Sequence, residues 1–308
     1  MGRRKRKPFG DPVDGILLLD KSEGITSNDA LQRARKLLGA QKAGHTGSLD
    51  PIATGLLPLC FGASTRWSGY FLGSDKHYRA TIRLGETTET GDSEGEIVST
   101  SQVSASEGHV QEALRLFQGT FLQVPPMYSA IKVDGQPLYK LARQGKTVAR
   151  KPREVTVHVL ELADFDGRDV QVTLRCSSGF YVRTLATDLG DTLGTGGHVT
   201  ALRRLGVAGL TVEDSMTLEE LAELPSYPDR RSQLGKVGDA LDHLPAVELS
   251  IDAAFYLCRG QSVRARNLPS KGNVRLYSSS TGFLGVGVVE EPGTVAPERL
   301  VSSGSETA

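Results

Sequence analysis

Apolar and polar positions change period several times along the chain, and each period predicts a different element. The first apolar run, GILLLDK over 15–21, is continuous rather than alternating, as expected of a buried strand. Ala30, Leu31, Ala34, Leu37 and Leu38 then recur at helical spacing, with Thr26 or Ser27 placed to cap the helix and Gly39 to stop it. LLPLCFG over 56–62 predicts a short buried segment. YRATIRLG over 78–85 alternates Tyr78, Ala80, Ile82 and Leu84 against polar neighbours, the mark of a strand with one face in the core. The acidic, turn-rich stretch 86–104 predicts a loop. After it, 106–119 sets Val110, Ala113, Leu114 and Phe117 on one helical face.

The second half continues in the same mixed way. REVTVHVLELADF (153–165) and DVQVTLRCSSG (169–179) predict a β-hairpin turning at Asp166-Gly167. YVRTLATDLGDTLG (181–194) reads as a helix and HVTALRRLGVAG (198–209) as a strand. TLEE over 217–220 is a capping box opening another short helix. The pattern loosens around Pro225, Pro228 and Pro245. Beyond it, VRLYS (274–278) and FLGVGVVE (283–290), separated by Gly and Ser, predict a small β-rich unit of about 60 residues.

Composition narrows this picture only a little. A chain of 308 residues accommodates one large domain and a small one. Lys+Arg and Asp+Glu both number 36, so bulk charge does not announce nucleic acid. The run Arg3, Arg4, Lys5, Arg6, Lys7 reads as a solvated flexible tail over 1–11, with RNA contact as the alternative. Cys60, Cys176 and Cys258 are far apart and form no CxxC, which points to a reducing compartment and away from structural zinc. With no long apolar run and no signal-peptide pattern, the expectation is a soluble cytoplasmic protein.

Candidate chemistry concentrates in AGHTGSLDPIATG, residues 43–55. Three glycines leave this loop little apolar surface, and Pro51 biases Asp50 away from helix. Asp50 could be a turn residue, a metal ligand beside His45, or a catalytic carboxylate. Nothing completes a metal site: there is no HExxH, no second nearby histidine and no cysteine pair. GxxxxGK[ST] and GxGxxG are also absent, so a nucleotide cofactor has no support. Chemistry by paired carboxylates would need a second acid; Glu86, Asp92 and Asp188 are candidates whose positions the sequence does not give.

The longer stretch GHTGSLDPIATGLLPLCFGASTR (44–66) resembles the catalytic motif of the TruB family of tRNA pseudouridine synthases. Five further stretches resemble that family in the same order. They are GILLLDKSEGITSNDAL (15–31, with Lys21), DKHYRATIRLGETTETGDSEG (75–95), VPPMYSAIKVDGQPLYKLARQG (124–145), CSSGFYVRTLATDLG (176–190) and HVTALRRLGV (198–207). The resemblance is close over about 12–215, and the tail resembles the small PUA-like domain of bacterial members.

It implies an α+β fold: a mixed, mainly antiparallel sheet core with flanking helices, spanning 12–245 with an insertion near 95–150, and a β-rich PUA-like domain over 246–308. It implies isomerisation of the uridine of the tRNA TΨC loop, position 55, by base flipping. No cofactor or metal is implied, and no obligate protein partner, with monomer as the default. Asp50 matches the family's nucleophile and Arg183 the arginine paired with it. Tyr78 matches the tyrosine that stacks on the target base, with removal of the C5 proton as a second role. Tyr181 and Leu202 match walls of the base pocket, His45 the histidine beside the flipped nucleotide, and Lys21 a further substrate-binding residue. Lys76, Arg66, Arg79, Lys132, Arg143, Arg203 and Arg204 are further cations suited to an RNA-facing cleft. A tRNA-binding folding chaperone with secondary or lost catalysis, and an N-glycosidase releasing the base, are the rival readings.

Overall fold

The computed structural model of the protein describes residues 10–301; the basic run at residues 3–7 lies outside them. Asp11, the last residue of the expected tail, is tied down by its amide to the Gly39 carbonyl at 2.7 Å and by an ion pair with Arg231 at 2.6 Å.

The chain opens with β1 (Gly15–Lys21), α1 (Ser27–Leu37), β2 (Ala43–His45), β3 (Ala53–Phe61), α2 (Ser68–Leu72) and β4 (Lys76–Leu84). It continues through β5 (Glu86–Thr88), β6 (Ile97–Thr100), α3 (Glu107–Arg115), β7 (Gly119–Gln123), β8 (Lys132–Val133), β9 (Gln136–Pro137) and α4 (Leu138–Ala142). Next come β10 (Arg153–Phe165), β11 (Asp169–Cys176), α5 (Val182–Thr192), β12 (Gly197–Val207) and β13 (Leu210–Thr211). A central sheet runs β1-β3-β12-β4-β11-β10-β7, with β2 added on β3 and β13 on β12. Only the β12–β3 pairing is parallel, so the sheet is mixed and mainly antiparallel.

Alternation decides the faces. Ala80, Ile82 and Leu84 on β4 and Val170, Val172, Leu174 and Cys176 on β11 point into one core, where the inner face of α1 (Ala30, Leu31, Ala34) and of α5 (Leu185, Ala186, Leu189) covers them. Thr26, not Ser27, caps α1, in a capping box with Asp29. Ser27 is then free to face inward. α6 (Leu218–Glu223) begins on the expected box, with Thr217 as cap and Glu220 reaching back. The 166–168 turn holds Gly167 at φ +97°, and the Asp166 side chain accepts the Arg168 and Asp169 amides.

Three expectations change. The buried segment expected at 56–62 is the end of a nine-residue strand that begins at Ala53, so the glycine-rich loop is shorter than 43–55 and is flanked by β2 and β3. The stretch 86–104 is not all loop: β5 and β6 pair as a hairpin, and every residue of β6 is exposed. A ribbon buried on neither face carries no apolar alternation to read. The loosened stretch 225–247 contains two short helices, α7 (Tyr227–Arg231) and α8 (Val237–Ala240). Between residues 95 and 150, α3 and β7 pack on the central sheet itself, β7 as its edge strand beside β10.

The C-terminal unit is a five-stranded sheet. It comprises β14 (Ala246–Leu249), β15 (Val263–Arg264), β16 (Gly272–Ser278), β17 (Gly282–Glu291) and β18 (Thr294–Leu300), with α9 (Ile251–Leu257) between the first two. It has its own core of Val247, Leu257, Val274, Leu276 and Val295. A second apolar cluster joins it to the main sheet: Trp67, Phe71, Leu56 and Val207 pack with Phe283 and Val286. No helix among the described residues is long and apolar enough to cross a membrane.

Candidate active site

Asp50 sits on the loop between β2 and β3, and that loop is pinned through its backbone. The Ser27 hydroxyl accepts the Leu49 amide at 2.7 Å and donates to the Leu49 carbonyl at 3.1 Å. The Pro51 carbonyl accepts the Gly24 amide at 2.9 Å and the Lys21 ammonium at 3.3 Å. Thr46 donates its amide and its hydroxyl to the Pro58 carbonyl. Gly55, the third residue of β3, is at φ +98°, where a Cβ would stand 2.3 Å from the Arg204 carbonyl oxygen, so only glycine lets β3 lie against β12. The result is a carboxylate on a rigid support, with 39% of its side-chain surface open.

Arg183, in the first turn of α5 and almost fully buried, grips that carboxylate with both prongs. Its Nε lies 2.9 Å from Asp50 Oδ2 and its Nη2 3.2 Å from Oδ1. Two more donors are used: Nη1 to the Thr90 carbonyl at 3.0 Å and Nη2 to the Tyr128 carbonyl at 2.7 Å. Nε also faces the buried Asp92 at 3.5 Å. One guanidinium thus joins four segments far apart in sequence, in the bidentate geometry that fixes both position and charge.

Asp92 is the second acid the sequence left unplaced, but it is the far partner of the arginine. It receives the Glu94 amide at 3.2 Å and the Thr90 hydroxyl, and the following residue bonds β12 through the Val199 carbonyl. Glu86 is instead paired with Arg168, and Asp188 lies on α5 with no ion pair among the described residues.

Burial pushes the Asp50 carboxyl above the usual carboxylate range; Arg183 opposes this and the Asp92 charge adds to it. After burial, the Asp50 charge adds to the upward shift of Tyr78 and Tyr181 and supports the Lys21 ammonium. Burial raises both phenols, so Tyr78 and Tyr181 stay protonated. Tyr78 stands on β4 directly opposite Arg204 on β12, and Leu202, two residues before Arg204, is buried on the same face opposite Ala80. Tyr181 caps α5, its backbone held on both sides by the Gln123 amide group at 2.8 and 3.1 Å. His45 is half-buried on β2, burial keeps it neutral, and its Nδ1 has no partner among the described residues.

Several cations lie elsewhere than an RNA-facing cleft. Lys21 is fully buried, its ammonium spread over the Ser22, Ile25 and Pro51 carbonyls at 2.9, 2.8 and 3.3 Å. Lys76 caps the end of α2 from below, and Arg204 is buried between β12, β3 and the loop. Arg203 points to the other face and pairs with Asp20 at 2.6 Å. Charge alone marked these residues for solvent; their strand faces decide otherwise. Gln123 and the Thr90 and Tyr128 carbonyls had no local signal, and Asp92 stood only as one of three acids, because only the sheet register and the docking of 124–150 bring them in. Among the described residues no group of three His, Cys, Asp or Glu could hold a metal ion.

Comparison with known proteins places the chain in a family. The family model for the TruB family pseudouridylate synthase N-terminal domain matches residues 35–182. The tRNA pseudouridylate synthase B C-terminal domain matches 183–244, and the model named Pseudouridine synthase II TruB, C-terminal, matches 245–301. A tRNA pseudouridine synthase B of Methylobacillus flagellatus is 46% identical over 294 residues, covering 96% of this chain and 97% of that protein. The protein of the same name from Nitrosococcus oceani is 48% identical over 306 residues, covering 98% and 99%. Among solved structures, a Cbf5-Nop10-Gar1 complex superposes with a TM-score of 0.73 at 24% identity, covering 93% of this chain and 84% of that one. An H/ACA RNP bound to a substrate RNA containing 2′-deoxyuridine gives 0.72 at 21%, covering 97% and 92%. At these identities the two structures speak for the fold.

Proposed function

Since the chain belongs to the TruB family of pseudouridine synthases, we propose that its target is the uridine at position 55, in the TΨC loop of the tRNA T-arm, and that Asp50 is the nucleophile. As a member of that family the protein is an enzyme that isomerises uridine in tRNA to pseudouridine.

The reaction breaks the bond between uracil N1 and ribose C1′ and joins C5 to C1′, with loss of the C5 proton and gain of one at N1. No electrons are exchanged, and a nucleophile is what the protein must supply. The observation that carries the assignment is the Asp50–Arg183 pair: a partly open carboxylate, held by a bidentate guanidinium on a backbone-pinned loop. Addition at C6 and attack at C1′ both start from the ionised carboxylate, and Arg183 favours that form against burial. Tyr78, Tyr181 and Leu202 supply apolar walls for an extruded base, whose unstacking costs a few kcal/mol. Neutral His45 stands at the loop's edge as a contact for the flipped nucleotide.

Lys21 serves the site from beneath, by holding the Pro51 carbonyl. In this reading residues 12–245 form the catalytic domain, with an insertion near 95–150, and 246–308 a PUA-like domain. The protein works as a cytoplasmic monomer on free tRNA. The test is incubation with a T-arm RNA and mapping of pseudouridine by position. Conversion at position 55 by the wild type and none by Asp50→Asn is expected; normal turnover by Asp50→Asn, or conversion elsewhere only, refutes the assignment.

A further inference from the structure

The start of α5 departs from the pattern that other helices of this chain keep. Thr26, Ser106, Thr217, Ser226 and Ser250 cap α1, α3, α6, α7 and α9 with their own hydroxyls. At the cap of α5 stands Tyr181, whose side chain makes no capping hydrogen bond, and the first turn holds no acid. Arg183 is the second residue of the helix, a cation at the end where the helix dipole disfavours one. The residues of α5 itself therefore give it a poorly marked beginning. Yet its first turn carries the guanidinium that meets Asp50 at 2.9 and 3.2 Å.

The hold on this turn comes from 58 residues upstream. Gln123, the last residue of the edge strand β7, is buried, with 3% of its surface exposed. Its Oε1 accepts the Tyr181 amide at 2.8 Å, and its Nε2 donates to the Tyr181 carbonyl at 3.1 Å. A carboxylate in its place would lack the donor, and an ammonium the acceptor. The bond to the cap amide is the one that Asp29 and Glu220 supply in the capping boxes of α1 and α6, delivered here from the sheet edge and without a charge. The chain that leaves Gln123 then closes over the same turn. The Val124 carbonyl accepts the Thr184 hydroxyl at 3.4 Å, and the Tyr128 carbonyl accepts Arg183 Nη2 at 2.7 Å. Ser27 does for the other partner what Gln123 does for this one: it accepts the amide and donates to the carbonyl of Leu49, the residue before Asp50. Each half of the ion pair is set by a neutral side chain that grips both polar groups of one backbone residue.

We propose that Gln123 is a positioning residue for the isomerisation: by clamping the cap of α5 it delivers the Arg183 guanidinium to Asp50. This rests on the reading of Asp50 as the nucleophile. A displacement of α5 by about 1 Å takes the contact to Asp50 Oδ1 beyond hydrogen-bonding reach, and misplacement on that scale costs a reaction up to about a hundredfold.

A double-mutant cycle separates this from a merely structural role. Gln123→Met keeps the bulk of the side chain and removes both bonds. Gln123→Met, Arg183→Met and the double variant are compared by single-turnover release of tritium from C5-labelled T-arm RNA between pH 5 and 9, with melting temperature and RNA affinity measured alongside. Gln123→Met should slow release by about tenfold at the acid end, and the loss should shrink as pH rises, because a carboxylate less firmly paired ionises later. In the Arg183→Met background the same change should cost less than about threefold, since the group it places is gone. A merely structural role predicts a loss that is equal in both backgrounds and at every pH, and that result overturns the proposal. So does a loss of less than about threefold in the wild-type background. Should Gln123→Met fail to fold, Gln123→Glu, which keeps the acceptor for the Tyr181 amide and loses the donor, enters the cycle in its place, and an equal cost in both backgrounds overturns the proposal there too. If the reading of Asp50 itself fails, Asp50→Asn releases tritium at the wild-type rate, a result distinct from these.

Discussion

Removing the Arg183 guanidinium should abolish most of the chemistry by changing the charge state of Asp50. In Arg183→Met, Asp50 and Asp92 face one another across a cavity with no cation between them. Two unit charges 2.9 Å apart attract by about 6 kcal/mol at an effective dielectric of about 20. Asp50 is 39% open to water, so screening reduces this to about 2–3 kcal/mol, or roughly two units of pKa. Burial already lifts the Asp50 carboxyl, and a neighbouring carboxylate lifts it further once the arginine is gone. The sign follows directly. The reactive form is the ionised one, so the rate falls as pH drops through the folded-state pKa, and in Arg183→Met that fall moves to higher pH. Single-turnover tritium release from a T-arm RNA, measured from pH 5 to 9, should show a loss that is largest at the acid end, up to about a hundredfold for a two-unit rise, and that shrinks as pH rises. A loss equal at every pH, or one that grows with pH, would refute the electrostatic account.

Other consequences are simpler to check. The folded-state pKa of Asp50 is raised, so folding favours its protonated form: that stabilising contribution is fully present below the unfolded value of about 3.9 and is lost as pH rises through the folded one, where the ionised carboxylate weighs against folding. Asp50→Asn should therefore lose turnover yet melt no lower than wild type at pH 8; a drop of about 5 °C or more would contradict this. Lys21→Ala removes a buried ammonium that ties together the part-buried Ser22, Ile25 and Pro51 carbonyls, so it should cost about 2 kcal/mol and slow turnover more than it weakens RNA binding. A selective loss of affinity with full stability would instead make Lys21 a substrate contact. Cys60 and Cys176 are buried with thiols pushed up to about 12, whereas Cys258 is exposed. A thiol reagent should modify one cysteine in the native protein and three after unfolding.

The elements that the residue pattern identified are those whose faces differ. Tyr78, Ala80, Ile82 and Leu84 alternate because β4 has one face in the core, and Thr217 with Glu220 announces its helix through the hydrogen bonds that make it. The β5–β6 hairpin was illegible for the same reason inverted: neither face is buried, so Ile97 and Val98 stand exposed beside Ser99 and Thr100 with nothing to set their order.

The site divides along another line. Asp50, Arg183, Tyr78 and Tyr181 are proposed from likeness to a family, not from physics, since a proline-flanked aspartate and a helix arginine have commoner uses. What the fold adds is why these residues work together. The parallel β3–β12 pairing and the antiparallel β4–β12 pairing put Gly55, Arg204 and Tyr78 in one row across the sheet. Sequence shows Arg203 and Arg204 as two equal basic residues. The strand period sends the first to Asp20 on one face and the second beneath the reactive loop on the other. A shift of β12 by one residue would exchange them, leaving a surface cation under Asp50 and a salt bridge without its arginine. Register, which no local pattern encodes, therefore determines which of two adjacent arginines lies beneath the Asp50 loop.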